Sequence, residues 1–94
     1  MKVIYSNEIA IILFNEPMTY FNLILQLHTL VYLILPHNGR AFIPYGAILQ
    51  IMNDSRDEQI KLYLIHTNNV LWFMKINNHS HKYEFQHLIF SVKL

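Results

Sequence analysis

The sequence predicts an α+β fold in one small domain over residues 1–94: an N-terminal strand or hairpin, one long apolar helix, then an antiparallel β-meander of about four strands. Three observations predict it. Residues 2–14 form an apolar run rich in β-branched side chains. Residues 17–35 contain no Asp, Glu, Lys or Arg and are dense in leucine. From residue 47 onwards, short apolar runs alternate with polar turns, the pattern of an antiparallel meander.

In residues 2–14, Val3, Tyr5, Ile9, Ile11 and Leu13 alternate with Ile4, Ala10, Ile12 and Phe14. Both faces of this strand are therefore apolar, and at least part of it is expected to be covered on both sides. Ser6-Asn7 is the expected break that would turn the run into a hairpin.

The helix is expected to open at Asn15-Glu16-Pro17. An Asn side chain can cap an N-terminus, Glu suits the positive end of the helix dipole, and Pro loses no hydrogen bond in a first turn. Pro36 and Asn38-Gly39 would close it. Thr19, Asn22, Gln26 and Thr29 fall at helical spacing and form one narrow polar stripe; the rest of the surface is apolar. Such a helix must be sheltered by its own domain, by a second copy or by lipid. A bilayer span needs about 20 apolar residues, and residues 18–35 approach that length. Against a span, Asn22, Gln26 and His28 lie near its middle, and no Lys or Arg cluster flanks it. His28 is expected to be a core or interface histidine bonded to backbone.

After the helix, residues 36–46 read as a loop with a brief edge strand at Phe42-Ile43. Strands are expected at 47–52, 59–66, 70–76 and 83–94, with turns at 53–58, 67–69 and 77–82. Alternation would direct Ile60, Leu62 and Leu64, then Val70, Trp72, Met74 and Ile76, then Leu88, Phe90 and Val92 toward the helix. Lys61, Tyr63, Phe73 and Lys75 would occupy the other face.

The chain is 53% hydrophobic and only 14% charged, against roughly 25% charged in an average domain. That excess predicts self-association, a protein partner or a membrane, because large exposed apolar patches are rare on soluble monomers. A net charge of +1 offers no clustered basic stripe, so nucleic acid is disfavoured as a partner. With no cysteine there is neither a disulfide framework nor a thiolate zinc site, which favours an intracellular setting. Glu8 interrupts the first apolar run, and no small-residue cleavage pattern follows, against a secretory signal.

Histidine supplies the conspicuous chemistry. His79 and His81 are spaced i and i+2 around Ser80, and His66, Glu84 or His87 could add a ligand from a neighbouring strand. His79, His81 and His87 are the metal candidates; without a third ligand in space they make no site, and no metal is assigned. Ser80 has no glycine elbow, so no catalytic residue is assigned either. Asp54, Asp57 and Glu58 lack the spacing of a calcium loop. Two glycines are too few for a phosphate-binding loop, and no cofactor or small-molecule substrate is implied. Tyr63, Trp72, Phe73, Tyr83, Phe85 and Phe90 could include a stacking platform for single-stranded RNA, and Lys61 and Lys75 beside Tyr63 and Phe73 supply a faint version of its paired signal; core packing is expected to explain most of these rings.

The sequence thus predicts a small non-enzymatic interaction or accessory protein, self-associating or partner-bound. The alternative is a single-pass membrane protein spanning residues 18–35. A minor alternative is a His-based metal-binding or RNA-binding module.

Overall fold

The computed structural model describes residues 2–27, 41–79 and 81–92, the side chains of His81 and Lys82 excepted. The hairpin expected at the N-terminus is present. β1 (Lys2–Ser6) pairs antiparallel with β2 (Ile9–Leu13), and the turn falls at Asn7-Glu8, one residue later than expected.

The apolar helix begins later than the sequence predicts. Met18–Thr19 is a short strand, β3, and it pairs with β4, Phe42–Ile43, the brief edge strand expected after the helix. Helix α1 then runs Tyr20–Leu27. Its cap is Thr19, whose Oγ1 accepts a hydrogen bond from the Asn22 N–H at 3.1 Å, so Asn15 and Pro17 are not the N-terminal signal. The backbone of Met18 and Thr19 finds partners in β4, and the side chain of Thr19 finds one in the helix; both gains require the helix to wait.

α1 buries Tyr20, Leu23, Ile24 and Leu27, the 3-1-3 spacing of one helical face, while Leu25 stays 48% exposed. Its described turns are therefore sheltered on one side only. Residues 28–40, including His28, Thr29 and the Pro36 to Gly39 stop signal, lie outside the described residues.

The meander supplies three strands: β5 (Ile48–Asp54), β6 (Gln59–His66) and β7 (Asn69–Asn77). With the hairpin they form one sheet in the order β1-β2-β5-β6-β7, antiparallel throughout. The fourth expected strand is instead helix α2 (His81–Ser91). Leu88, Phe90 and Val92 alternate like a strand, but Phe85, Leu88, Ile89 and Val92 are the buried set, again spaced 3-1-3. Phe90, expected to face inward, is 62% exposed. The architecture is α+β, with two helices among the described residues where the sequence suggests one.

Both helices pack on the same face of the sheet. That face is built from Ala10 and Ile12, Leu49 and Ile51, Ile60, Leu62 and Leu64, and Trp72, closed by Leu23 and Leu27 of α1 and Phe85, Leu88 and Val92 of α2. Each fully buried aliphatic side chain contributes about 1.5–3 kcal/mol of transfer free energy, the main stabilising effect here. Met74 and Ile76 pack at the margin. Val70 does not, because a bulge between Leu64 and Ile65 sets it opposite Ile65 and out of the core.

Turn chemistry fixes the sheet ends. Thr67 and Asn68 both have positive φ, 47° and 64°, as a two-residue type I′ hairpin requires. Gly46 takes φ 81° with nothing within 4 Å of where a Cβ would sit, so it is needed for its backbone angle and not for space. At the other end Asn78 Nδ2 donates to Asn53 Oδ1 at 2.9 Å within the core. The Asn53 N–H donates to the Glu8 carbonyl and the Asn78 N–H to the Glu58 carbonyl, both at 2.8 Å. These bonds join the β1–β2 turn, the β5–β6 turn and the entry to α2.

Candidate functional site: an open sheet face and its edge

Placing both helices on one side leaves the other face of the sheet uncovered by either. Its composition follows from the register. One row across the strands reads Ile4, Ile11, Gln50, Tyr63 and Phe73. The next row reads Lys2, Leu13, Ile48, Ile65 and, past the bulge, Val70, and the row on the other side Ser6, Ile9, Met52, Lys61 and Lys75. Ile4 is 49% exposed and Phe73 43%; Ile11, Leu13, Ile48, Met52, Tyr63 and Ile65 are half-buried.

With strands about 4.8 Å apart, these rows span on the order of 300 Å² in projection. That is the size of the largest apolar patch on an ordinary monomer, and such patches are often functional. The rings of Tyr63 and Phe73 lie 4.9 Å apart, and Lys75 Nζ sits 5.7 Å from the Phe73 ring centre.

The basic row ends in a charged corner. Lys61 Nζ donates to Asp54 Oδ2 at 3.2 Å, and Arg56 Nε approaches Asp54 Oδ1 at 3.8 Å. The hydrogen bond from Lys61 leads in holding the Asp54 carboxyl below its ordinary value.

A second feature lies on the helix side, at the sheet margin. Val3 and Tyr5 of β1 face Gln86, Ile89 and Phe90 of α2 across an apolar cleft of about 280 Å³. It continues past Tyr5 and Gln86 into a polar cleft of about 370 Å³ that adds Asn7, Glu8 and Asn53. Together they make one trough beside the edge strand.

The described histidines lie on β6, on the turn after β7 and on α2. His66 ends β6, with Nδ1 3.4 Å from Thr67 Oγ1. His79 lies in the turn after β7, and His81 is the first residue of α2. His87 is six positions further along, and its ring stacks with that of Tyr83 at 6.1 Å. Six residues is not a spacing that returns to one helix face. Among the described residues no three His, Asp or Glu side chains gather as a metal-binding group. Ser80 lies outside the described residues.

Of the aromatic residues singled out in the sequence, Tyr63 and Phe73 are brought together with Lys61 and Lys75 on the open face, while Trp72 and Phe85 are core. Sequence reasoning missed the trough, because residues 83–94 were expected as a strand. The spacing of Phe85, Leu88, Ile89 and Val92 carried the signal for a helix there.

Among the described residues no helix is long and apolar enough to cross a membrane, and Met18–Thr19, the start of the span in the alternative reading, is paired strand. Comparison with known protein families, with curated proteins and with solved structures returns no match.

Proposed function

We propose that this chain is a non-enzymatic interaction protein that holds the surface of a partner protein against the open face of its sheet. The observation that carries the reading is the two adjacent rows through Ile11, Ile48, Tyr63, Ile65 and Phe73, apolar over most of their length and covered by neither helix. Burying such a face against a second apolar surface gains about 25 cal/mol per Å² before the costs of association. The charged groups Lys61, Lys75, Asp54 and Arg56 sit at the rim, as charges do around protein interfaces, while Gln50 is polar within the central row.

Single-stranded RNA is the second reading, favoured by the Tyr63–Phe73 ring pair beside Lys75. Charge decides against it. Lys61 is committed to Asp54, so among the described residues of this face Lys2 and Lys75, on opposite edge strands, remain to meet phosphates, and two contacts give a salt slope of only about −1.4.

The test is site-specific photo-crosslinking in cells. A photoreactive residue replacing Ile11 captures a defined protein, identified by mass spectrometry; the same residue replacing Asp57, on the β5–β6 turn, captures none. Adding Phe73→Lys, on the same face but three strands away, reduces capture by about tenfold or more. Equal capture from both positions, or none from Ile11, defeats the reading.

A further inference from the structure

The sheet ends on one side at β1, and all five of its residues are exposed although three of them are Val3, Ile4 and Tyr5. Two hydrogen bonds elsewhere determine which of its backbone groups are spent. Phe14 N–H donates to the Ala47 carbonyl at 3.0 Å, and Asn53 N–H donates to the Glu8 carbonyl at 2.8 Å. In an antiparallel strand successive residues direct their backbone groups to opposite sides. Residues 8, 10, 12 and 14 therefore face β5, and Ile9, Ile11 and Leu13 face β1. Their register partners Ser6, Ile4 and Lys2 are bonded to β2. Val3 and Tyr5 are left with N–H and C=O directed outward from the free edge.

We infer that this edge pairs with the same edge of a second copy, antiparallel about a two-fold axis at Ile4. The inference rests on the reading of the chain as an interaction protein and names one partner for it, on a surface distinct from the open face. In this register Val3 faces the partner's Tyr5, and Tyr5 faces the partner's Val3. Both are outward-directed pairs, and together they exchange about four backbone hydrogen bonds. The other available registers, centred on Val3 or on Tyr5, leave one of the two residues without a counterpart among the residues of β1.

Charge selects the same arrangement. Lys2 lies at one end of β1 and Glu8 in the turn at the other, and among the described residues the ion pairs are those of Asp54 with Lys61 and Arg56. Antiparallel pairing brings Lys2 across from the partner's Ser6, within a lysine's reach of the partner's Glu8, and does so twice by symmetry. A parallel pairing would set lysine beside lysine.

The trough completes the fit. Side chains at Val3 and Tyr5 are on the helix side, so the partner's Val3 and Tyr5 come to lie along the apolar cleft bounded by Ile89 and Phe90. A contact of this size falls short of the roughly 800 Å² per partner of a standard interface. The dimer is therefore concentration-dependent, and its continuous sheet presents two open faces side by side.

Sedimentation equilibrium of the whole chain tests this. Between about 1 and 100 µM, the range expected for a small interface, the mass rises from 11.3 kDa toward twice that value. Val3→Pro removes one outward donor and none of the β1–β2 bonds, and it leaves a monomer with an unchanged far-ultraviolet spectrum. Lys2→Glu raises the dissociation constant about tenfold by placing like charges together, and Lys2→Glu with Glu8→Lys restores it. Restoration separates a pairing effect from a folding defect. Phe73→Lys, on the open face, leaves the dimer intact.

A wild-type chain that stays monomeric throughout overturns the inference, as does a dimer that survives Val3→Pro but dissolves with Phe73→Lys. In either case capture at Ile11 decides separately whether the interaction reading stands.

Discussion

Asp54 is the residue whose environment has the clearest consequence in solution. It accepts a hydrogen bond from Lys61 at the edge of the open face, with Arg56 beyond, and its carboxyl is held below the ordinary value of about 3.9. A carboxyl depressed in the folded state contributes stability that is present above its unfolded pKa. That contribution is lost as pH falls through the folded value. Asp54→Asn should therefore lower the urea midpoint at pH 7, and the gap from wild type should close below about pH 4. A gap independent of pH would mean that the side chain acts through shape alone. Exposure of Arg56 and screening by salt keep the effect modest.

At the scale of elements, the helix at 81–91 is the instructive case. Tyr83 to Val92 carries enough apolar residues to satisfy either period, and Leu88, Phe90 and Val92 suit a strand as well as Leu88 and Val92 suit a helix. In α2, Leu88 is fully buried and Phe90 is mostly exposed. Leu88→Ala should cost about 2–5 kcal/mol in urea unfolding, and Phe90→Ala less than about 1 kcal/mol. Comparable losses at the two positions would favour the strand. The same contest of local and distant partners moved the start of α1: Met18–Thr19 was drawn into the ladder with Phe42–Ile43, which no reading of residues 15–20 by themselves could show.

For the whole molecule, the chain is long enough to cover one side of a five-stranded sheet with its two described helices, and neither covers the other side. The two surfaces that remain differ in physics. The open face is apolar and should associate more strongly in ammonium sulfate, which favours burial. The β1 edge, aligned by Lys2 and Glu8, should dissociate several-fold more readily as NaCl rises from about 0.05 to 0.5 M, because screening shortens the reach of its charges. Sedimentation in the two salts distinguishes them. A dimer indifferent to NaCl would remove the charge pairing from the account.

What the sequence determined by itself was whatever depends on near neighbours. A strand period of two is a local property, so Ile60, Leu62 and Leu64 could be separated from Lys61, Tyr63 and Lys75 without knowing what would cover either set. The low charge likewise announced an uncovered apolar surface before its place was known. Tertiary structure decided where the uncovered surface lies. Pairing β2 with β5 put β1 at the rim and aimed the backbone of Val3 and Tyr5 outward, and folding 81–91 as a helix gave that rim its trough. Those outcomes turn on partners that start some 40 residues further along the chain for β2 and some 80 for β1, and on which of two satisfied periods finds a core to face.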